Sequence, residues 1–324
     1  MSHGALGARR ETVPTLDQRP GRTCPVSYRY SPRVFARAPG IEAHTLYVAG
    51  GLYGNVEALD ALLEMVAAEP GAALAFNGDF HWFDVASAEF ERVGRTVLSH
   101  YALRGNVETE IAGEESGAGC GCAYPADVSD AEVSRSNEIL ARLRETARRF
   151  PELRALQGDL PMNLVARVGA TRVGIVHGDA ASLAGWGFAH DQLDNPRHAR
   201  WLESVFRDAQ VEVFASSHTC LPACRAFAFG AVINNGAAGM PNFAGTGYGI
   251  VTRISTKPAP VEPLHGARVG DAFVDALAVR FDTARWTARF LAAWPEGSPA
   301  HASYHRRIAE GPRFEPAQAR PRAA

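Results

Sequence analysis

The sequence predicts an α/β protein built around a largely buried, mixed β-sheet. Short apolar runs typical of strands alternate with segments whose apolar residues recur at helical spacing. Polar residues with metal-binding side chains directly follow four of the predicted strands. Because ligands gather at the carboxyl ends of strands in such sheets, both observations point to the same fold class.

The composition is that of an ordinary globular protein of 324 residues, with 46% hydrophobic and 21% charged residues. A formal net charge of -2 gives no bulk attraction to nucleic acid or to an anionic membrane. No apolar stretch is long enough to span a bilayer, and the polar N-terminus lacks a signal-peptide core, so we expect a cytoplasmic protein. Lys257 is the only lysine, which indicates a GC-rich, bacterial genome.

The first predicted elements are a strand, a helix and a second strand. Residues 1–40 carry five prolines and are expected to form an arm with little regular structure. Residues 45–48 (Thr-Leu-Tyr-Val) are expected to form a buried strand. Residues 56–68 show helical spacing and stop at Pro70, and residues 72–76 form the next strand.

The middle of the chain contains an insertion at about 110–156. Its first part is rich in glycine and acidic residues and is expected to be an ordered loop. The spacing of Ser129 and Glu132 fits a capping box and predicts the start of a helix. The predicted elements here are helix 90–98, strand 101–103, loop 111–125 and helix 129–150.

The second half continues the alternation up to residue 256, which we take as the end of a domain covering 41–256. Its predicted elements are strands 162–168 and 171–176 paired around Gly169, helix 197–209, and strands 211–215, 231–234 and 248–254. Residues 257–324 form an extension with strand 273–281, helix 283–293 and a disordered tail beyond Pro312. The aromatic face of that helix could pack on the core or on a second subunit of a homodimer; its residues are Trp286, Phe290, Leu291 and Trp294.

Four candidate metal ligands follow predicted strands. Asp79 and Asn106 each come after a glycine, and His177 and His218 end apolar runs. Divalent cations of hard or borderline character bind carboxylate, amide oxygen and imidazole ligands. Each residue alone has a structural explanation in a turn or a core, but their joint occurrence at strand ends predicts a metal site.

The order and context of these segments resemble the calcineurin-like metallophosphoesterase family over about residues 44–256. The resemblance implies a four-layer α/β/β/α sandwich with mixed sheets and a centre for one or two divalent ions of Mn, Fe or Zn. It implies that Asp79 bridges two metals and that Asn106, His177 and His218 bind only the second. The implied reaction is hydrolysis of a phosphate mono- or diester of a small metabolite or nucleotide.

The chain departs from the family pattern at the first metal position and at the general acid. Gly51 and Tyr53 stand where the family has Asp and His, and Cys220 stands where it has a further His. Glycine donates no ligand, whereas a cysteine thiolate binds zinc or iron. Val107 occupies the position of the family's proton donor. The first metal site is therefore remodelled, and Cys220 is a candidate ligand.

The cysteines suggest a sulfur-rich replacement site. Cys220, joined by Cys120 or Cys122 from the insertion, would rebuild the lost metal position. The alternative is that these residues are small buried hydrophobes.

Three more residues are candidates for catalysis. Glu108 follows the third motif and would act in catalysis or brace a neighbour. His81 lies two residues after Asp79 and would face the cleft or lie partly buried beside Trp82. Arg104 would bind a phosphate oxygen bidentately or form a surface ion pair.

Two functions follow from these motifs. The first is a metal-dependent phosphoesterase with a remodelled, possibly one-metal site that acts on a small phosphorylated substrate. The second is a catalytically silent protein of the same fold that binds a phosphorylated ligand or a protein partner. No basic stripe indicates a nucleic-acid enzyme.

Overall fold

Two six-stranded sheets lie face to face at the centre of the structure. The computed structural model describes residues 19–114 and 117–321. Within these residues the strands are β1 (Ile41–Ala43), β2 (Thr45–Ala49), β3 (Ala73–Asn77), β4 (Tyr101–Leu103), β5 (Asn163–Val168), β6 (Thr171–Val176), β7 (Val213–Ser216), β8 (Pro222–Phe227), β9 (Gly230–Asn235), β10 (Gly249–Ser255), β11 (His265–Val269) and β12 (Ala272–Val279). The sheets have the orders β1-β5-β6-β7-β9-β8 and β11-β12-β10-β2-β3-β4.

Both sheets are mixed. Strands β2, β3 and β4 run parallel, and β10 lies antiparallel between β2 and β12. In the other sheet β6, β7 and β9 run parallel, while β5 and β8 pair antiparallel with β6 and β9.

Helices cover the outer faces of the two sheets. Within the described residues they are α1 (Val56–Ala67), α2 (Ser87–Leu98), α3 (Asn106–Ala112), α4 (Asp130–Ala147), α5 (Pro151–Gly158), α6 (His190–Leu193), α7 (Ala199–Ala209), α8 (Thr283–Ala293), α9 (Pro299–Glu310) and α10 (Pro316–Ala319). Helices α1 and α2 pack on the sheet that contains β2, and α7 packs on the sheet that contains β7. None of these helices combines the length and apolar character needed to cross a membrane.

Strand β2 shows why the central strands are apolar on both sides. Leu46 and Val48 point into the core between the sheets, whereas Tyr47 and Ala49 pack under the outer helices. Strand β7 alternates in the same way, with Phe214 facing α7. Burial on both faces produces the uninterrupted apolar runs of the sequence, and the predicted four-layer α/β/β/α sandwich is confirmed.

Several elements escaped sequence prediction. Helix α3 begins at Asn106, where turn chemistry was expected, and α5 lies beyond the predicted end of helix 129–150. Strand β8 starts with Pro222, which an edge strand tolerates because its first N–H needs no partner in the sheet. Strand β11 and helix α9 were also missed.

The described part of the N-terminal arm has short helical turns. Residues 19–40 contain 3-10 turns at Val26–Tyr28 and Pro32–Ala36. Tyr28 and Phe35 anchor these turns because both side chains are buried. The rest of the predicted arm, residues 1–18, lies outside the described residues.

The prediction of a disordered tail is wrong for residues 313–321. Phe314 is 2% exposed and lies parallel to Phe243, with ring centroids 6.1 Å apart. Arg225 donates to the carbonyls of Ala319 and Arg320 at 3.0 and 2.8 Å. One buried aromatic residue and these charged hydrogen bonds order a segment whose Pro/Ala/Arg composition suggested disorder.

Replacing Phe314 with Ala is therefore expected to destabilise the whole protein by about 3–5 kcal/mol, the usual cost of deleting a buried phenylalanine. Denaturant unfolding would measure the change in free energy. Val261, which is 56% exposed, provides the matched truncation Val261→Ala, expected to change it by less than about 0.5 kcal/mol. Equal stability of the two variants would show that the tail does not dock.

The aromatic face of α8 packs within the chain. Trp286, Phe290 and Trp294 are 4%, 1% and 1% exposed. The Trp294 indole N–H donates to the carbonyl of Phe83 at 2.9 Å. These three side chains thus belong to the core and are not available to contact a second subunit. The homodimer remains a prediction.

Candidate metal centre

Four polar side chains converge where the two sheets meet. Asp79, Asn106, His177 and His218 follow the carboxyl ends of β3, β4, β6 and β7. The His177 Nε2 atom lies 3.3 Å from Asp79 Oδ1, 3.0 Å from Asn106 Oδ1 and 3.0 Å from His218 Nδ1. The structure therefore brings together the four predicted ligands that share one metal in the family pattern.

Backbone carbonyls bind three of these side chains at the nitrogen atoms that point away from the centre. The His177 Nδ1 atom lies 2.9 Å from the carbonyl of Asn77, and the His218 Nε2 atom lies 3.1 Å from that of Cys122. The Asn106 amide donates to the carbonyl of Cys120 at 2.9 Å. A carbonyl oxygen only accepts hydrogen bonds, so an N–H group of the side chain must donate in each contact. The other polar atom of each side chain, a ring nitrogen or the amide oxygen, then faces the centre.

This arrangement fits a cation. In the neutral imidazoles the inward-facing Nε2 of His177 and Nδ1 of His218 carry lone pairs, and two lone pairs 3.0 Å apart repel unless a proton or a metal ion lies between them. Second-layer carbonyls that fix the tautomer of metal-binding histidines are usual in metal sites. The ligand atoms of Asp79, His177 and His218 all lie within 4.8 Å of one another.

Without a metal ion, a proton on His177 takes the inward-facing position and pairs with the Asp79 carboxylate. Burial raises the pKa of Asp79, but the positive charge and hydrogen bond of His177 outweigh this effect and leave it lowered. Burial lowers the pKa of His177, but the Asp79 carboxylate outweighs this and leaves it raised. Burial and the neighbouring His177 lower the pKa of His218 to about 3, so His218 is a neutral imidazole at pH 7.

Glycines let the ligand loops approach closely. A side chain on Gly78 would meet the backbone nitrogen of Gly105 at 2.6 Å and His177 Nδ1 at 2.7 Å. A side chain on Gly105 would collide with the Asp79 carboxylate. Asp79 itself has a φ of 51°, a left-handed conformation that the surrounding contacts must hold.

Glu108 supplies those contacts. Its carboxylate accepts from the backbone N–H groups of Asp79 at 2.9 Å, Gly105 at 2.8 Å and Phe80 at 3.1 Å, and more weakly from that of His81 at 3.4 Å. Burial, together with the nearby Asp79 charge, raises the pKa of Glu108 to about 7. The carboxylate thus braces the loop that presents Asp79, and it is not among the described residues that line the cleft.

The other two candidates for catalysis lie away from the cleft. His81 is fully buried, contacts Asp84 at 2.6 Å and Gln157 at 2.8 Å, and stacks on Phe90. Arg104 donates to the carbonyl of Gly158 at the end of α5. In the described structure neither side chain contacts the four converging ligands.

The Tyr53 ring fills the space beside Gly51, where the resemblance implied a carboxylate. A side chain on Gly51 would meet this ring at 2.9 Å. The Tyr53 hydroxyl contacts the Cys220 sulfur at 2.9 Å. Burial raises the pKa of both groups, which keeps them protonated at neutral pH.

The sulfur atoms do not join the metal cluster. Among the described residues the group that could hold a metal ion contains Asp79, His177 and His218 and no cysteine. The insertion nevertheless folds over the cleft, because Cys120 and Cys122 contribute their backbone carbonyls to the support of Asn106 and His218. Sequence reasoning missed this role, since it depends on the path of the main chain and not on the thiol.

A cleft of about 620 Å³ opens onto the centre. Its lining includes Asp79, Asn106 and His218 on one side. Sequence reasoning also missed its basic lining, for which the adjacent pair Arg306-Arg307 was the available signal. The arginines that line the cleft are Arg135, Arg306, Arg307 and Arg313.

Comparison with known proteins supports the fold. No protein-family model and no curated protein sequence matches the chain. A hypothetical protein from Pyrococcus horikoshii OT3 has a similar solved structure, with a TM-score of 0.58, 18% identity, and coverage of 83% of this chain and 99% of that one. A metallophosphoesterase from Sphaerobacter thermophilus gives a TM-score of 0.51 with 17% identity, over 83% of this chain and 100% of that one. The chain therefore has the metallophosphoesterase fold.

Proposed function

We propose that the protein is a metal-dependent phosphoesterase that hydrolyses a phosphate ester of a small metabolite or nucleotide with one divalent ion. Asp79, Asn106, His177 and His218 would hold the ion. The observation that carries the proposal is the inward-facing set of two oxygens and one nitrogen at 3.0–3.3 Å from His177 Nε2. The name of the similar Sphaerobacter protein supports the same reaction class.

The bound ion would polarise a phosphoryl oxygen and lower the pKa of a water molecule. The protein's own part is to keep the ligands fixed. The carbonyls of Asn77 and Cys122 orient the two imidazoles, and Glu108 holds Asp79 through its backbone. Preorganised ligands need no rearrangement during the reaction.

The reaction would favour esters with good leaving groups. Val107 stands at the proton-donor position, and its backbone N–H donates to Asp79 at 3.2 Å while its side chain is apolar. Loss of a general acid typically costs a factor of about 10² to 10⁴. Aryl phosphates, whose leaving groups need no protonation, would suffer less than alkyl phosphates.

The alternative function, a silent protein that binds a phosphorylated ligand, also has a specific observation in its favour. The Tyr53 ring lies over Gly51, and the Tyr53 hydroxyl contacts Cys220, so the first metal position is closed. A binding protein would still use the remaining ion and the basic cleft.

A metal and activity assay separates the two functions. We expect elemental analysis of the purified protein to find one divalent ion per chain, and p-nitrophenyl phosphate to be hydrolysed with Mn, Fe or Zn. His177→Ala should lose both properties, because it removes the ligand at the middle of the cluster. The exposed His44 gives the control variant His44→Ala, which should keep both.

Each outcome decides a different point. Metal binding without turnover of any aryl phosphate favours the silent binding protein. Absence of metal in the wild type and in His44→Ala would refute both proposals that use the ion.

A further inference from the structure

The C-terminal extension builds one wall of the cleft. Helix α9 and the residues directly after it carry Arg306, Arg307 and Arg313 to the lining, and Arg135 joins them from α4. We call these four residues the arginine wall. The Arg135 Nε atom donates to Ser303 Oγ at 2.6 Å, which ties the two helices together at this wall.

The charge of the wall is not balanced by nearby protein groups. The cleft lining holds four guanidinium groups against two carboxylates, those of Asp79 and Glu132. Asp79 belongs to the metal centre, and Glu132 accepts from Ser129 at 2.9 Å. Within the part of the chain that the structure describes, no carboxylate pairs with the arginine wall. Because the whole chain has a net charge of -2, this local excess is not a consequence of a basic composition.

Arg307 is held in place before any ligand arrives. Its Nη2 atom donates to the carbonyl of Cys220 at 2.6 Å and its Nε atom to that of Pro241 at 3.2 Å. These contacts put the guanidinium beside the Tyr53–Cys220 pair, on the side of the first metal position. A pre-positioned guanidinium loses less entropy when it binds an anion.

The cleft has room for more than a phosphoryl group. Its volume of about 620 Å³ is that of a site for a whole small molecule. Tyr124, Trp186 and Tyr304 add aromatic surface to the lining. The same cleft therefore presents both the metal centre and the arginine wall to one ligand.

We propose that the arginine wall binds a second phosphate of the substrate, so that the substrate class is a small molecule with two phosphate groups, one at the metal centre and one at the wall. The assignment of the first phosphate rests on the proposed function. Guanidinium groups recognise phosphate through paired, charge-assisted hydrogen bonds. Each such contact that is lost costs about tenfold in affinity when it contributes 1.4 kcal/mol.

Binding of phosphonates tests the wall without any hydrolysis, because their C–P bonds are stable to phosphoesterases. Calorimetric titration of the metal-loaded protein would compare methylenediphosphonate and propane-1,3-diphosphonate with propylphosphonate at fixed ionic strength. We expect at least one diphosphonate to bind wild type about tenfold or more tightly than the monophosphonate. In Arg306→Gln/Arg313→Gln this preference should fall below about threefold, while propylphosphonate binding changes little.

The control is Arg200→Gln, which removes an exposed arginine outside the cleft and should keep the wild-type preference. A preference that persists unchanged in Arg306→Gln/Arg313→Gln, or is absent in wild type, would overturn the assignment. The two proposals fail separately. A wall-dependent preference without phosphatase activity rejects only the enzyme, and activity with no wall-dependent preference rejects only the second phosphate site.

Discussion

Replacing Asp79 with Asn is expected to weaken metal binding by more than about 100-fold. Loss of a residue that only supports a ligand already costs about 10- to 100-fold, and Asp79 is the one carboxylate in the metal cluster of the described residues. Asparagine keeps the size of the side chain and an oxygen that accepts from Val107. The variant therefore removes a charge and leaves the shape of the site.

Two measurements follow this change. Titration with Mn or Zn would give the affinity directly. The shift of the melting temperature with added metal should nearly vanish at metal concentrations below the weakened Kd, because the stabilisation grows with the logarithm of 1 + [L]/Kd. Asp271→Asn, at an exposed turn, makes the same chemical change far from the cluster and should retain the wild-type metal shift. Asp79→Asn with undiminished affinity would show that the ion does not bind here.

Replacing Glu108 with Gln is expected to destabilise the protein by on the order of 3 kcal/mol. The Glu108 side chain is fully buried, and both of its carboxylate oxygens accept from backbone N–H groups of the Asp79 loop and of Gly105. In glutamine one oxygen becomes an NH₂ group that would face these N–H groups, so at least one buried donor loses its partner. Denaturant unfolding would measure the loss.

A second measurement distinguishes the brace from a general loss of stability. Asp79 has a φ of 51°, and the Glu108 carboxylate fixes the backbone on either side of that residue. Metal affinity should therefore fall at temperatures where Glu108→Gln is still folded. Glu64→Gln, on the exposed face of α1, should alter neither quantity. Wild-type stability in Glu108→Gln would contradict the bracing role.

The sequence predicts the sheets well because their strands are buried on both faces. Strand β2 is apolar after Thr45 and strand β6 is apolar after Arg172. A polar residue that follows such a run lies at the rim of the sheet. For the same reason Asp79 and His177 were expected beyond the ends of strands, and the structure places them after β3 and β6. Helix α9 was missed because only Ala300 and Ile308 of its side chains are buried, which gives no clear helical pattern.

The backbone groups that orient the ligands could not be predicted from sequence patterns. Carbonyls of Asn77, Cys120 and Cys122 orient the ligands, and a carbonyl group is the same in every residue. The thiols of the Cys120-Gly121-Cys122 segment suggested metal ligation, because a sequence identifies side chains and does not show where backbone carbonyls lie. The path of the main chain over the cleft depends on contacts between distant segments, which composition and spacing do not encode.

The two sides of the cleft come from distant parts of the chain. Asp79 to His218 supply the candidate metal centre, whereas three of the four residues of the arginine wall, Arg306, Arg307 and Arg313, come from the C-terminal extension. Because synthesis runs from the N-terminus, the ligand loops leave the ribosome well before the wall does. Phe314 directly follows Arg313 and packs on Phe243, so the end of this wall takes its place only when the last described segment of the chain has docked.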